Sequence, residues 1–197
     1  DTVYLSKDTV WDINDAVVGS VAQSTMDLAP NATYSAGLLA KLPTIIPANY
    51  YVLVRTDIRD NIREDNETNN TGVSAGTLAL DVPELTLGVP ASSTLSTDTE
   101  RYYKVNVPAG EDIIITFDSQ STTSFNEIYV ASSFLPTRGL FELSHDDPNK
   151  PDHEIILPEV AGGYYYILLR GGKVPDGAAS YTLNARVLTF EIVDVTP

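Results

Sequence analysis

The sequence predicts an all-β protein made of two tandem antiparallel β-sandwiches, immunoglobulin-like or jelly-roll-like. Val, Ile, Thr and Tyr number 18, 13, 20 and 11 among 197 residues, and these side chains suit a pleated, half-buried surface. The apolar runs are short and alternate with polar residues between turn signals, as strands with one wet face do. Helix signals are weak. The best stretch, residues 35–42, runs into Pro43 and Pro47, so a loop or strand is expected there.

Along the chain, strands are expected at residues 2–5, 16–21, 33–39, 50–57 and 71–80. After a proline-flanked stretch, further runs fall at 102–107, 112–118, 127–132, 140–143, 154–157, 164–170 and 180–188. The chain therefore divides into a first sandwich over residues 1–82, a linker or first edge strand over 83–90, and a second sandwich over 91–188. Residues 189–197 read as a terminal strand or the start of a following domain. Tyr50-Tyr51-Val52-Leu53-Val54-Arg55 resembles Tyr165-Tyr166-Ile167-Leu168-Leu169-Arg170, but one shared strand does not make a repeat.

The first half offers five strands where such a sandwich uses about seven. The terminal segment alternates, with Phe190 and Ile192 on one face and Val193 and Val195 on the other. Two explanations stand. The chain is a piece of a longer multidomain protein, or Phe190, Ile192, Val193 and Val195 donate a strand to the open sandwich of the next copy. A head-to-tail contact of that kind does not close and builds a fibre.

Composition excludes several functions. The net charge of −15 opposes binding to nucleic acid, which needs clustered Lys and Arg, and opposes anionic membrane surfaces. With no cysteine, disulfides and thiolate metal centres are out. Two histidines do not make a His-rich metal site. No apolar run approaches the ~18 residues of a membrane span.

Two acidic loops are candidate calcium sites. The first carries Asp8, Asp12, Asn14 and Asp15, the second Asp57, Asp60, Glu64 and Asn66. Calcium takes six to eight oxygens from an irregular loop, and these spacings let several converge, although the EF-hand glycine and terminal Glu are missing. The alternative is a pair of self-satisfied turns, since Asp and Asn side chains bond their own backbone and Arg55, Arg59 and Arg63 interleave with the second loop. A third cluster runs from Glu142 to Glu154 and includes Ser144, His145, Asp146, Asp147, Asp152 and His153. A triad needs members converging from separate elements, so an exposed connection is expected, with a divalent ion between the histidines as the other reading. The tyrosine doublets and triplet at 50–51, 102–103 and 164–166 must each send one ring outward or into sheet packing. An outward row can stack on sugars or grip an extended polypeptide.

Two resemblances follow. Tyr4-Leu5-Ser6-Lys7-Asp8 with Asp12, Asp15 and Gly19, then Leu42-Pro43, residues 50–57 and Glu64-Asp65-Asn66-Glu67-Thr68-Asn69-Asn70, resembles the later part of a CARDB domain, the cell-adhesion-related module of bacterial surface proteins. Tyr103-Lys104-Val105-Asn106-Val107-Pro108-Ala109-Gly110 and Ala161-Gly162-Gly163-Tyr164-Tyr165-Tyr166-Ile167-Leu168 resembles the bacterial pre-peptidase C-terminal domain. Both imply a non-catalytic module that is secreted, extracellular or displayed at the cell surface. The expected function is a structural or adhesion segment whose partners are neighbouring domains or copies of itself. The alternative is an accessory module of an extracellular hydrolase that binds polysaccharide or protein. No enzyme activity is expected, and calcium is the one cofactor considered.

Overall fold

A computed structural model describes residues 1–22, 33–59, 61, 63–66, 68–147, 150–175 and 177–189. The strand-donation residues Phe190, Ile192, Val193 and Val195, and Asp60 of the second acidic loop, lie outside these. The described residues contain strands and no helix. The chain forms two compact units, Asp1–Asp81 and Val82–Pro197.

The first unit holds β1 (Thr2–Ser6), β2 (Ala16–Ser20), β3 (Ala48–Arg55) and β4 (Thr71–Leu80) in one antiparallel sheet ordered β2-β1-β3-β4. Tyr4 and Leu53 face each other across β1 and β3, and both are buried. Trp11 packs edge-on against Tyr4 at 6.0 Å, and the Arg55 guanidinium lies 3.7 Å above the Trp11 ring. Between Tyr51 and Leu53 the partners on β4 jump from Thr77 to Val73. The Val52 N–H there is satisfied by Ser74 Oγ, which itself donates to the Gly76 carbonyl. Residues 33–39, expected as a strand, pair with no ladder and are irregular. Their small Ser35, Ala36 and Gly37 supply little packing, and Leu38 sits over Gly19 instead, where a Cβ would lie 3.3 Å from its methyl.

The second unit holds β5 (Glu84–Leu85), β6 (Ala91–Leu95), β7 (Glu100–Val107), β8 (Ile113–Ser119), β9 (Phe125–Ala131), β10 (Leu143–His145), β11 (His153–Leu157), β12 (Gly163–Lys173) and β13 (Ala179–Val187). They form a five-stranded sheet ordered β10-β9-β12-β7-β5 and a four-stranded sheet ordered β11-β8-β13-β6. All pairs are antiparallel except β5 with β7. Alternation on each strand sends one face inward: Val105, Ile128, Val130, Ile167 and Leu169 from one sheet meet Ile113, Ile115, Phe117, Leu183 and Leu157 from the other. This is a β-sandwich. The hydroxyls of Tyr103 on β7 and Tyr181 on β13 bond each other at 2.6 Å inside that core, joining the two layers. Every connection from β5 to β13 except β9–β10 passes from one sheet to the other.

Glu84 and Leu85, read from the sequence as linker or edge strand, are the short parallel edge β5. Gly171 carries the closest approach in the unit. A Cβ there would stand 2.3 Å from the Ser96 carbonyl oxygen, at the place where Thr97 bridges to β12, so only glycine fits.

Candidate functional site

The acidic loops of the first unit fold onto themselves. Asp8 Oδ1 accepts from the Val10 N–H at 2.7 Å, Asp12 Oδ1 from Asn14 at 2.6 Å, and Asp15 Oδ2 from Asp12 at 2.9 Å. In the second loop Asp57 Oδ1 accepts from Asn61 at 2.9 Å, and Asn66 Oδ1 accepts from the Thr68 N–H and hydroxyl. These are turns closed by Asx side chains. Glu64 is exposed. Asp57 adopts a left-handed φ of 38° and lines a small polar cavity with Arg55 and Arg59. Among the described residues, no three His, Asp or Glu side chains stand together as a metal site.

The outer face of the five-stranded sheet is where aromatic and charged groups gather. Tyr103 and Tyr165 enter the core, so alternation turns Tyr102, Tyr164 and Tyr166 outward. Across β7 and β12, Asn106 pairs with Tyr164, Lys104 with Tyr166 and Tyr102 with Leu168. Tyr164 is 42% exposed. The Lys104 ammonium lies 5.2 Å from its ring centroid and 3.7 Å from the Glu84 carboxylate, to which the Tyr164 hydroxyl also points. Burial, with the Glu100 charge behind it, pushes the Tyr102 phenol up.

Farther along that face, Glu127 of β9 is only 1% exposed. A carboxylate held in that state needs compensation on every lone pair, and it has it. Tyr129 donates its hydroxyl to Oε2 at 2.8 Å. Arg138 donates Nε to Oε2 at 2.8 Å and Nη2 to Oε1 at 3.1 Å. Arg170, its cross-strand partner on β12, donates Nη1 to Oε1 at 2.9 Å and reaches Asp98 with Nη2. Burial first, then the bond to Glu127, raises the Tyr129 phenol. Arg138 belongs to the β9–β10 loop, which folds back over the sheet: Phe141 packs 5.1 Å from Tyr129, and the Glu142 carboxylate accepts from the Ser132 N–H and hydroxyl. Leu140 and Phe141 remain exposed on that loop, as does Leu143 at the start of β10.

The histidine cluster differs from the exposed connection expected. His153 is 3% exposed because it opens β11 against Phe117, whose ring stacks on it at 6.3 Å. Its Nε2 lies 2.6 Å from the Asn126 carbonyl and its Nδ1 lies 2.7 Å from His145 Nδ1. A carbonyl only accepts, so Nε2 carries the hydrogen. Burial pushes the His153 imidazole down; His145 pushes the same way, while the Asn126 bond, Asp152 and Asp147 oppose it. Ser144 and Asp146 converge with neither ring in a triad; Asp152 instead accepts the Ser119 N–H.

No family model matches the chain, so the CARDB likeness of the first half remains a resemblance, and no curated protein matches it. Among solved structures, it is similar to the pre-peptidase C-terminal domain of a collagenase from Bacillus anthracis, at 14% identity over 53% of this chain and 94% of that one, with a TM-score of 0.39. It is similar also to PliG of Aeromonas hydrophila, a periplasmic inhibitor of g-type lysozyme, at 14% identity over 54% and 96%, TM-score 0.41. A third is CorA of Methylomicrobium album BG8, a surface-associated copper-binding protein, at 9% identity over 55% and 98%, TM-score 0.42. None of these reaches a TM-score of 0.5, and none lends its activity to this chain.

Proposed function

We propose that the chain is a non-catalytic segment of a secreted or cell-surface bacterial protein, serving as a structural or adhesion module. The observation that supports this is the fate of Glu127. Among the described residues of the second unit it is the one buried acid, and four donated hydrogen bonds from Tyr129, Arg138 and Arg170 hold both its oxygens, leaving none for a substrate proton. A general acid or base must instead reach the reacting atom.

A second reading is favoured by a different observation. The outward Tyr164 on β12, and separately the exposed Leu140 and Phe141 of the β9–β10 loop, offer exposed apolar groups of the kind that take sugar rings or an extended peptide, which suits an accessory module of a hydrolase. Co-sedimentation with insoluble cellulose, chitin and collagen separates the two. A structural segment stays in the supernatant; retention that Tyr164→Ala abolishes establishes the binding module. Turnover of any of these polymers that Glu127→Gln abolished would overturn both.

A further inference from the structure

The chain has two histidines, one at the end of β10 and one at the start of β11, which sit in different sheets of the sandwich. Their Nδ1 atoms are nevertheless 2.7 Å apart and their rings are nearly perpendicular, at 84°. We propose that His145 and His153 form a two-imidazole site for a borderline divalent transition-metal ion of the Zn2+ kind, which staples the edge of one sheet to the edge of the other.

The geometry of His153 carries this. A metal-ligating histidine is ordinarily held by a hydrogen bond from its other nitrogen to a carbonyl or carboxylate, which fixes the tautomer and raises the basicity of the ligating atom. His153 has that arrangement: Nε2–H donates to the Asn126 carbonyl, Phe117 walls the ring, and the Nδ1 lone pair points out toward His145. His145 is half-buried and lies on β10, an edge strand of three residues, so it has room to yield.

In the metal-free pair His145 donates Nδ1–H to His153. On binding, that proton moves to His145 Nε2, leaving two Nδ1 lone pairs for the ion with no net change of charge on the rings. Tetrahedral Zn–N bonds of about 2.0–2.1 Å place two nitrogens roughly 3.3 Å apart, so the pair opens by about 0.6 Å. The rest of the coordination shell is water, because no third His, Asp or Glu joins the pair among the described residues. Asp147 and Asp152 both act on the His153 ring, and Asp152 is engaged by the Ser119 N–H. Imidazole ligands with no thiolate select Zn2+, Cu2+ or Ni2+ rather than calcium.

The test is a calorimetric titration of untagged full-length chain with zinc chloride, alongside thermal unfolding. One equivalent binds and the melting temperature rises. His145→Ala, a substitution at a half-buried position whose fold is checked by circular dichroism, weakens binding at least tenfold and removes the thermal shift. Paramagnetic resonance of the Cu2+ form shows coupling to two nitrogens. No saturable uptake at millimolar zinc, or uptake unchanged in His145→Ala, overturns the proposal.

Discussion

Replacing Arg170 by Met tests whether the Glu127 cage holds the second sandwich together. The substitution keeps a long apolar stem against the sheet and removes only the guanidinium. Arg170 gives one of the four hydrogen bonds that Glu127 accepts and also holds Asp98. Its side chain is 15% exposed against 57% for Arg138, so its charge is the better shielded from solvent. Breaking one partner from a buried pair costs roughly 3–5 kcal/mol; Arg138 stays to compensate, which brings the expected cost to about 3 kcal/mol. Arg138→Met removes two bonds, but from a solvent-screened group, and is expected to cost about 1–2 kcal/mol. For a unit of this size each kcal/mol lowers the melting temperature by roughly 4 °C, so Arg170→Met melts about 12 °C below the parent. The assay is thermal and urea unfolding followed by circular dichroism on both variants. A third, Glu127→Leu with Arg170→Met, regains part of the loss, because the apolar pair leaves no buried carboxylate short of donors and the exposed Arg138 and Asp98 are solvated. Arg170→Met melting within about 2 °C of the parent, or Arg138→Met proving the costlier change, would refute the reasoning.

The remaining predictions concern titration and ions. Burial, then the bond to Tyr103, raises the Tyr181 phenol above its ordinary value of 10.0. Its contribution is therefore complete below pH 10 and is lost as pH rises beyond it, because the unfolded chain ionises first. Alkaline unfolding monitored by near-ultraviolet circular dichroism shows this loss, and Tyr181→Phe flattens it; an unchanged alkaline slope in the variant counts against the account. In the first unit, the acidic loops close on their own backbone and no three carboxylates meet among the described residues. Melting temperatures in calcium and in chelator therefore coincide, and a rise of several degrees in calcium would show that the loops rearrange around an ion.

Runs of strand-prone residues between turn signals were legible from the sequence: residues 71–80 match β4, 164–170 fall inside β12, and 112–118 begin one residue before β8. β6 was missed because Ala-Ser-Ser-Thr-Leu has a polar face and hardly an apolar one. Residues 33–39 misled because β-prone composition does not supply a neighbour to pair with. The split of the tyrosine doublets into inward and outward rings followed from the period of two. The Glu127 cage did not. A carboxylate within Phe-Asn-Glu-Ile-Tyr-Val-Ala signals a buried charge that needs a partner, but Arg138 and Arg170 stand 11 and 43 residues away, and only the fold brings them in. The histidines were visible as neighbours in sequence, whereas their burial depended on Phe117 and Asn126 from other strands.

The passage of the chain from sheet to sheet at nearly every connection has a kinetic consequence. Apart from the β9–β10 pair, no strands that follow one another lie in the same layer, so neither layer can form as a whole and wait for the other. Contacts are mostly distant in sequence, and loop-closure entropy must be met before they reward it, which places folding of this unit on the slow side. The same weave works in reverse: a cut in one crossing loop loosens strands in both layers at once, so the unit fails as a whole rather than by shedding an edge.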